Sequence, residues 1–272
     1  MRRLVLALTL IASIAGGAQA AAPKAPPTIP EIVNAFSDEE LIHGFLATVF
    51  GSEALSSPDE SPNDRVLKFR RPVRVYINDQ GSDPRRAEVE DFVRILDRHV
   101  HGLDIRMVKK PEQANMTIYL LDRGAYKRTV AEQIGNPHEV KFLVENDCSA
   151  VTSGRVDKGL TKATIFLVVN EGRPNFRHCM IEEIAQSLGP VNDDSSLTNS
   201  IFNDNSTLVG FGVYDWFILN MLYDPRIKVG MTPEQAEKVL PAVIASARKR
   251  LPKVLIERRA VPADDGKPAT RK

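Results

Sequence analysis

Glu182, Glu183 and Gln186 are the side chains whose types and spacing could do chemistry. They lie in C-M-I-E-E-I-A-Q-S-L-G-P-V-N-D, which runs from Cys179 to Asp193. Glu182 and Gln186 are four positions apart, so a helix puts them on one face with Glu183 beside them; His178, four before Glu182, extends the row. Carboxylates placed this way can polarise a water molecule or offer oxygen ligands to a cation. Ile181, Ile184, Ala185 and Leu188 follow the i, i+3, i+4, i+7 pattern and form one apolar stripe. Gly189 falls where a helix C-cap is expected, and Pro190 prevents continuation, so a helix is expected over about 175–189.

This layout overlays the H-E-x-x-H helix of zinc proteases, in which two His at i and i+4 hold the metal and the Glu between them is the general base. The longer form of that motif adds a Gly and then a third ligand, each three residues on. The register here is Glu182, Glu183, Gln186, Gly189, Asn192, with Asp193 adjacent. The base Glu and the turn Gly are kept, and both His positions are replaced. Two roles are open to Glu183. It is either the general base acting on water or substrate, or, with Gln186, a hydrogen-bonding partner of neighbouring backbone in a non-catalytic scaffold. Zinc prefers imidazole or thiolate and is disfavoured by a Glu182, Gln186, Asn192, Asp193 set. Such hard-oxygen donors suit calcium or magnesium better, and those ions want more oxygens than one helix supplies. His178 and Glu182 could form an i, i+4 ligand pair, but no third ligand can be named; an exposed His near the helix start is expected.

Further signature segments follow the helix: S-I-F-N-D at Ser200–Asp204 and D-W-F-I-L-N-M-L-Y-D-P-R-I-K-V-G-M at Asp215–Met231. With the helix, they resemble the bacterial secreted family known as domain of unknown function 2927, over roughly Ser37 to Arg250. The resemblance implies a zincin-like fold carrying E-E-x-x-Q in place of H-E-x-x-H, and no established activity. It makes Asn192, Asp193, Asp194, Asn203 and Asp204 part of the family signature. These residues, with Asp215, either line a ligand cleft over the Glu-Glu face or close turns and cap helices, as short polar side chains commonly do.

The elements that must position these residues read as an α+β fold, a zincin-like single domain with a mixed sheet, the motif helix and C-terminal helices. Ser37 and Glu40 have capping-box spacing ahead of an apolar face from Ile42 to Phe50. Strands are expected at Val73–Ile77, Ile105–Val108, Met116–Leu121, Lys141–Val144, Ser149–Gly154 and Ala163–Val169, the last an almost unbroken run of β-formers. Helices are expected at Arg85–His101, Tyr126–Ile134 and Gly212–Tyr223, and from the Thr232 cap to about Leu251.

Residues 1–20 read as a signal peptide: Arg2 and Arg3, an apolar stretch too short to span a bilayer, and Ala18-Gln19-Ala20 as the cleavage signal. Residues 21–34 are expected as a Pro/Ala-rich leader, 35–251 as the domain and 252–272 as a disordered tail. Export to the periplasm or beyond is therefore expected, with no membrane span in the mature chain. Two cysteines in an exported chain favour a Cys148–Cys179 disulfide over free thiols.

Charge is balanced, with 36 basic against 35 acidic residues, and aromatics are 6%, so nothing points to nucleic acid. No G-x-S-x-G, Walker or Rossmann glycine motif occurs, which removes the commonest hydrolase and nucleotide-cofactor readings. Three functions remain: a binder of a peptide or envelope component with little or no hydrolysis, an atypical metal-dependent hydrolase, and a structural envelope interaction protein.

Overall fold

The Ala163–Val169 run becomes a central strand because both faces of the sheet are covered there. In the computed structural model, which describes residues 26–51, 64–203 and 205–259, five strands form one sheet in the order β2-β1-β3-β5-β4. These are β1 (Val73–Asp79), β2 (Ile105–Met107), β3 (Met116–Leu121), β4 (Ser149–Arg155) and β5 (Gly159–Val168). β2, β1, β3 and β5 run parallel, and β4 folds back antiparallel on β5 to make one edge. A bulge between Ser153 and Gly154 interrupts that last ladder.

Side-chain alternation splits the core in two. Met116, Ile118 and Leu120 of β3 and Ala163, Ile165 and Leu167 of β5 enter the main core. Tyr119, Leu121, Phe166 and Val168 point the other way into a smaller cluster closed by Tyr126, Val130 and Leu143. Strands buried on both faces lose the polar alternation of half-exposed ones, which explains the continuous apolar run.

The small cluster is roofed by α4 (Arg123–Ile134) and α5 (Pro137–Leu143). On the main-core side lie α2 (Asp38–Val49), α3 (Arg86–His99), α6 (Arg173–Gln186), α7 (Val213–Leu222) and α9 (Leu240–Arg259). The Ser37–Glu40 capping box forms at α2: the Ser37 N–H donates to Glu40, and the Glu40 N–H donates to Ser37 Oγ. The arrangement is α+β, a single domain with a mixed sheet. Among the described residues no helix is long and apolar enough to cross a membrane.

Four expectations are corrected. Lys141–Val144 is not a strand but the end of α5: the Asn136 side chain accepts from the His138 N–H and Pro137 takes the first turn, a start signal that overrides four β-prone residues. Part of the leader is ordered as α1 (Ile29–Val33), capped by Thr28 and Glu31. Arg248 fixes this segment to α9 by donating to the carbonyls of Val33 and Phe36 and to Asp38. The helix expected from Thr232 is two helices, α8 (Pro233–Glu237) and α9, because Pro241 enforces a new first turn. Finally, α9 continues through Pro252 to Arg259, because Leu251 and Val254 extend the buried stripe of Val243, Ile244 and Ala247. The signal peptide and residues 260–272 lie outside the described residues.

Candidate functional site

The motif helix α6 begins at Gly172, whose φ of 97° turns the chain out of β5, and Pro174 sits in its first turn. It is less amphipathic than its sequence reads. Phe176, Cys179 and Met180 are buried along with Ile181, Ile184 and Ala185, and the helix packs against β4 and β5 of the sheet. It ends at Ser187, earlier than Gly189, through a tightened turn in which Leu188 and Gly189 donate back to Ala185 and Gln186. Gly189 then turns with φ 136°, where a Cβ would stand 2.6 Å from the Leu67 carbonyl.

One face of α6 opens into a groove of about 630 Å³. His178, Glu182, Glu183 and Gln186 line it from the helix, Asn192 and Asp193 from the loop beyond, and Asn146, Asp147 and Cys148 from the segment leading into β4. The Cys148–Cys179 disulfide forms and joins the last wall to the helix. Asp147, Glu182, Glu183 and Asp193 make the lining acidic, and no Lys or Arg among the described residues belongs to it.

Each side chain is held. His178 Nδ1 donates to the Leu208 carbonyl at 2.9 Å, and its Nε2 faces Glu182 Oε2 at 3.3 Å. It is half-buried between these partners, unlike the exposed His expected from its position. The Gln186 amide donates to Asp193 Oδ1 at 2.9 Å. Asn192 donates to the Ala47 carbonyl at 2.9 Å, and its own N–H donates to Thr48, so this loop is fastened to the end of α2. Glu183 is only 8% exposed. Behind it stands Tyr126, whose hydroxyl bonds Ser149 Oγ and the Leu143 carbonyl. Burial pushes that phenol up to about 12; the Ser149 bond opposes the shift and the Glu183 charge adds to it.

The structure therefore brings Glu182, Glu183, Gln186, Asn192 and Asp193 to one groove, but not the other signature residues. Asp194 accepts from the Ser196 N–H and lies 3.9 Å from His43. Asn203 donates to the Ser195 carbonyl and accepts from the Asn205 N–H. Asp215 is fully buried and accepts from Ser200 Oγ, the Ile201 N–H and the Gly212 N–H, so it caps α7 and pins the Ser200–Ile201 turn. Burial raises its carboxyl to about 6 against those three bonds. Asp204 lies outside the described residues.

Sequence reasoning missed the opposite wall. Arg123 organises it, donating to both oxygens of Glu171, to Asp147 and to the Asn146 and Asp147 carbonyls. The signal was available: a Cys148–Cys179 bridge must carry Asp147 to the helix.

A zinc ion does not suit this donor set. No thiolate is free, since both sulfurs are cross-linked. The one imidazole is engaged by Leu208 and Glu182. Gln186 and Asn192 could offer only amide oxygens, neutral donors that zinc takes poorly. Among the described residues no group of three His, Cys, Asp or Glu side chains is arranged to hold a metal ion.

A family model described as a protein of unknown function, DUF2927, matches residues 38–242, which include every strand, α6 and the groove loop. No curated protein and no solved structure matches the chain. The matched span is well over half of the 272 residues, and the chain belongs to the DUF2927 family.

Proposed function

We propose that this protein is exported and uses the groove over α6 to bind an extended peptide segment of an envelope component, on a zincin-like fold that does not hydrolyse it. One observation carries the reading: the Glu-Glu face of α6 shares a single groove with the segment that leads directly into β4, an edge strand. An edge strand has outward N–H and C=O groups, and an extended peptide can pair with them while its side chains enter an adjoining pocket. The acidic lining favours a guest with a basic side chain near Glu182 and Asp193. The disulfide is the kind formed in an oxidising compartment, which supports export.

Glu183 occupies the general-base position of a zincin. Hydrolysis is left out of the proposal because the groove offers one imidazole and no free thiolate, short of the ligand set that zinc prefers. The test is binding of fluorescent peptides cut from envelope proteins to the mature chain, followed by anisotropy, with mass spectrometry of the recovered peptide. Expected are saturable binding of an intact peptide and a loss of roughly tenfold or more in Glu183→Gln or Glu182→Gln, the scale of one charge-assisted contact. Cleaved peptide, or one zinc per chain by elemental analysis, would instead support the metal-dependent hydrolase. A purely structural role predicts no binding and a changed melting temperature in the same variants.

A further inference from the structure

A second cavity, of about 510 Å³, lies between the 68–70 segment, the turn after α3 and the 223–229 segment after α7. Lys68, Arg70, His101 and Lys228 line it, with no Asp or Glu among the described residues, and Phe69 and Ile227 add apolar surface. Lys68 is the unusual member, being 8% exposed. Its ammonium donates to the Leu222 carbonyl at 2.5 Å and lies 5.4 Å from the centre of the Tyr223 ring. Both partners are neutral.

The nearby carboxylate does not balance this charge. Asp224 is fully buried and already held by two guanidiniums, Arg226 at 2.8 Å and Arg250 at 3.2 Å. Among the described residues no ion pair reaches Lys68. Burial pushes its amine down to about 8, Lys228 pushes in the same direction, and Asp224 opposes them only in part. A buried cation facing a cavity of like charge is costly unless an anion completes it.

We propose that this cavity binds a small molecule bearing an oxyanion, of the phosphate type. Lys68 is the desolvated anchor, Arg70 and Lys228 are rim charges that steer and hold the anion, and Phe69 and Ile227 accommodate a short apolar body. The site uses no residue of the α6 groove and stands or falls independently of the peptide reading.

The experiment follows thermal unfolding of the mature chain in increasing inorganic phosphate at constant ionic strength, with chloride as the replaced ion. Expected is a saturable rise of roughly 5–10 °C at a large excess over the dissociation constant. Arg70 and Lys228 are exposed, so Arg70→Gln and Lys228→Gln should not lower the phosphate-free melting temperature and should weaken apparent affinity about tenfold each. Lys68→Met should abolish the rise. The two rim variants keep the test decisive if Lys68→Met folds poorly. Sedimentation with phosphatidic acid vesicles, against phosphatidylcholine alone, separates a lipid headgroup from a free phosphate as the source. No saturable rise in the wild type, or the same affinity in both rim variants, overturns the proposal.

Discussion

Opening the Cys148–Cys179 bridge should remove about a third of a typical domain's stability. The bridge closes a loop whose ends are 31 positions apart. Chain entropy then withdraws about 2.1 + 1.5R ln 31, or about 12 cal/mol/K, from the unfolded ensemble, equivalent to about 3.7 kcal/mol at 25 °C. For a domain of this size each kcal/mol moves the melting temperature by about 2–4 °C, so the expected drop is about 7–15 °C. Replacing both cysteines by alanine removes two buried sulfurs as well, so the reduced wild type isolates the cross-link and Cys148→Ala/Cys179→Ala should fall somewhat below it. Urea unfolding of oxidised wild type, reduced wild type and the double variant, each monitored by circular dichroism, supplies the three free energies. A reduced protein within about 1 kcal/mol of the oxidised one would refute the entropy argument. Two titratable thiols in protein purified without reductant would refute the bridge itself.

Three further outcomes follow from buried groups. Asp215 is raised from 3.8 to about 6 by burial, so it contributes stability that is full below its unfolded value and lost as pH rises through about 6; Asp215→Asn should flatten urea midpoints across that window. Burial would also raise Asp224, but hydrogen bonds from Arg226 and Arg250 outweigh it and hold it near 2, so its contribution is present above 3.8 and lost as pH falls through about 2. Asp224→Ala leaves two guanidiniums without their shared carboxylate, but each is about a third exposed, so the cost in urea unfolding should be about 1.5–3 kcal/mol, the scale of a charged hydrogen bond; a cost under about 0.5 would contradict the pairing. At Gly44 an added Cβ would stand 1.8 Å from the Tyr214 hydroxyl, which itself donates to the Glu40 carbonyl. Gly44→Ala should therefore lose about 1–3 kcal/mol, and Tyr214→Phe in that background should recover part of it; strictly additive losses would count against the clash.

The sequence was most legible where one signal acted alone. β3 and β5 were readable because strands buried on both faces show as apolar runs, and α2 because Ser37 and Glu40 carry a complete start signal in four residues. Over Lys141–Val144 local β-propensity competes with the Asn136-Pro137 cap just upstream, and the cap decides the outcome. Residues 252–259 are hard to read for another reason: their polar composition hides Val254, which extends the buried stripe of Leu251. In the groove, spacing sufficed for Glu182, Glu183 and Gln186, since a helix dictates who shares a face. It could not sort Asp193 from Asp215. Both are acids in the same signature, yet one lines the groove and the other is buried at a helix cap, a distinction made by tertiary contacts with α2 and the Ser200 turn.

The strand order also constrains when the groove can come into being. β1 pairs with β3, and β3 with β5, across intervening helices, so most of the sheet must wait for distant segments to meet. The β4–β5 hairpin is the exception, and α6 follows it directly. Both cysteines fall within this one contiguous stretch, just before the hairpin and on the helix. Oxidation therefore needs only a local encounter, and two walls of the groove can be fastened together while the remainder of the sheet is still unassembled.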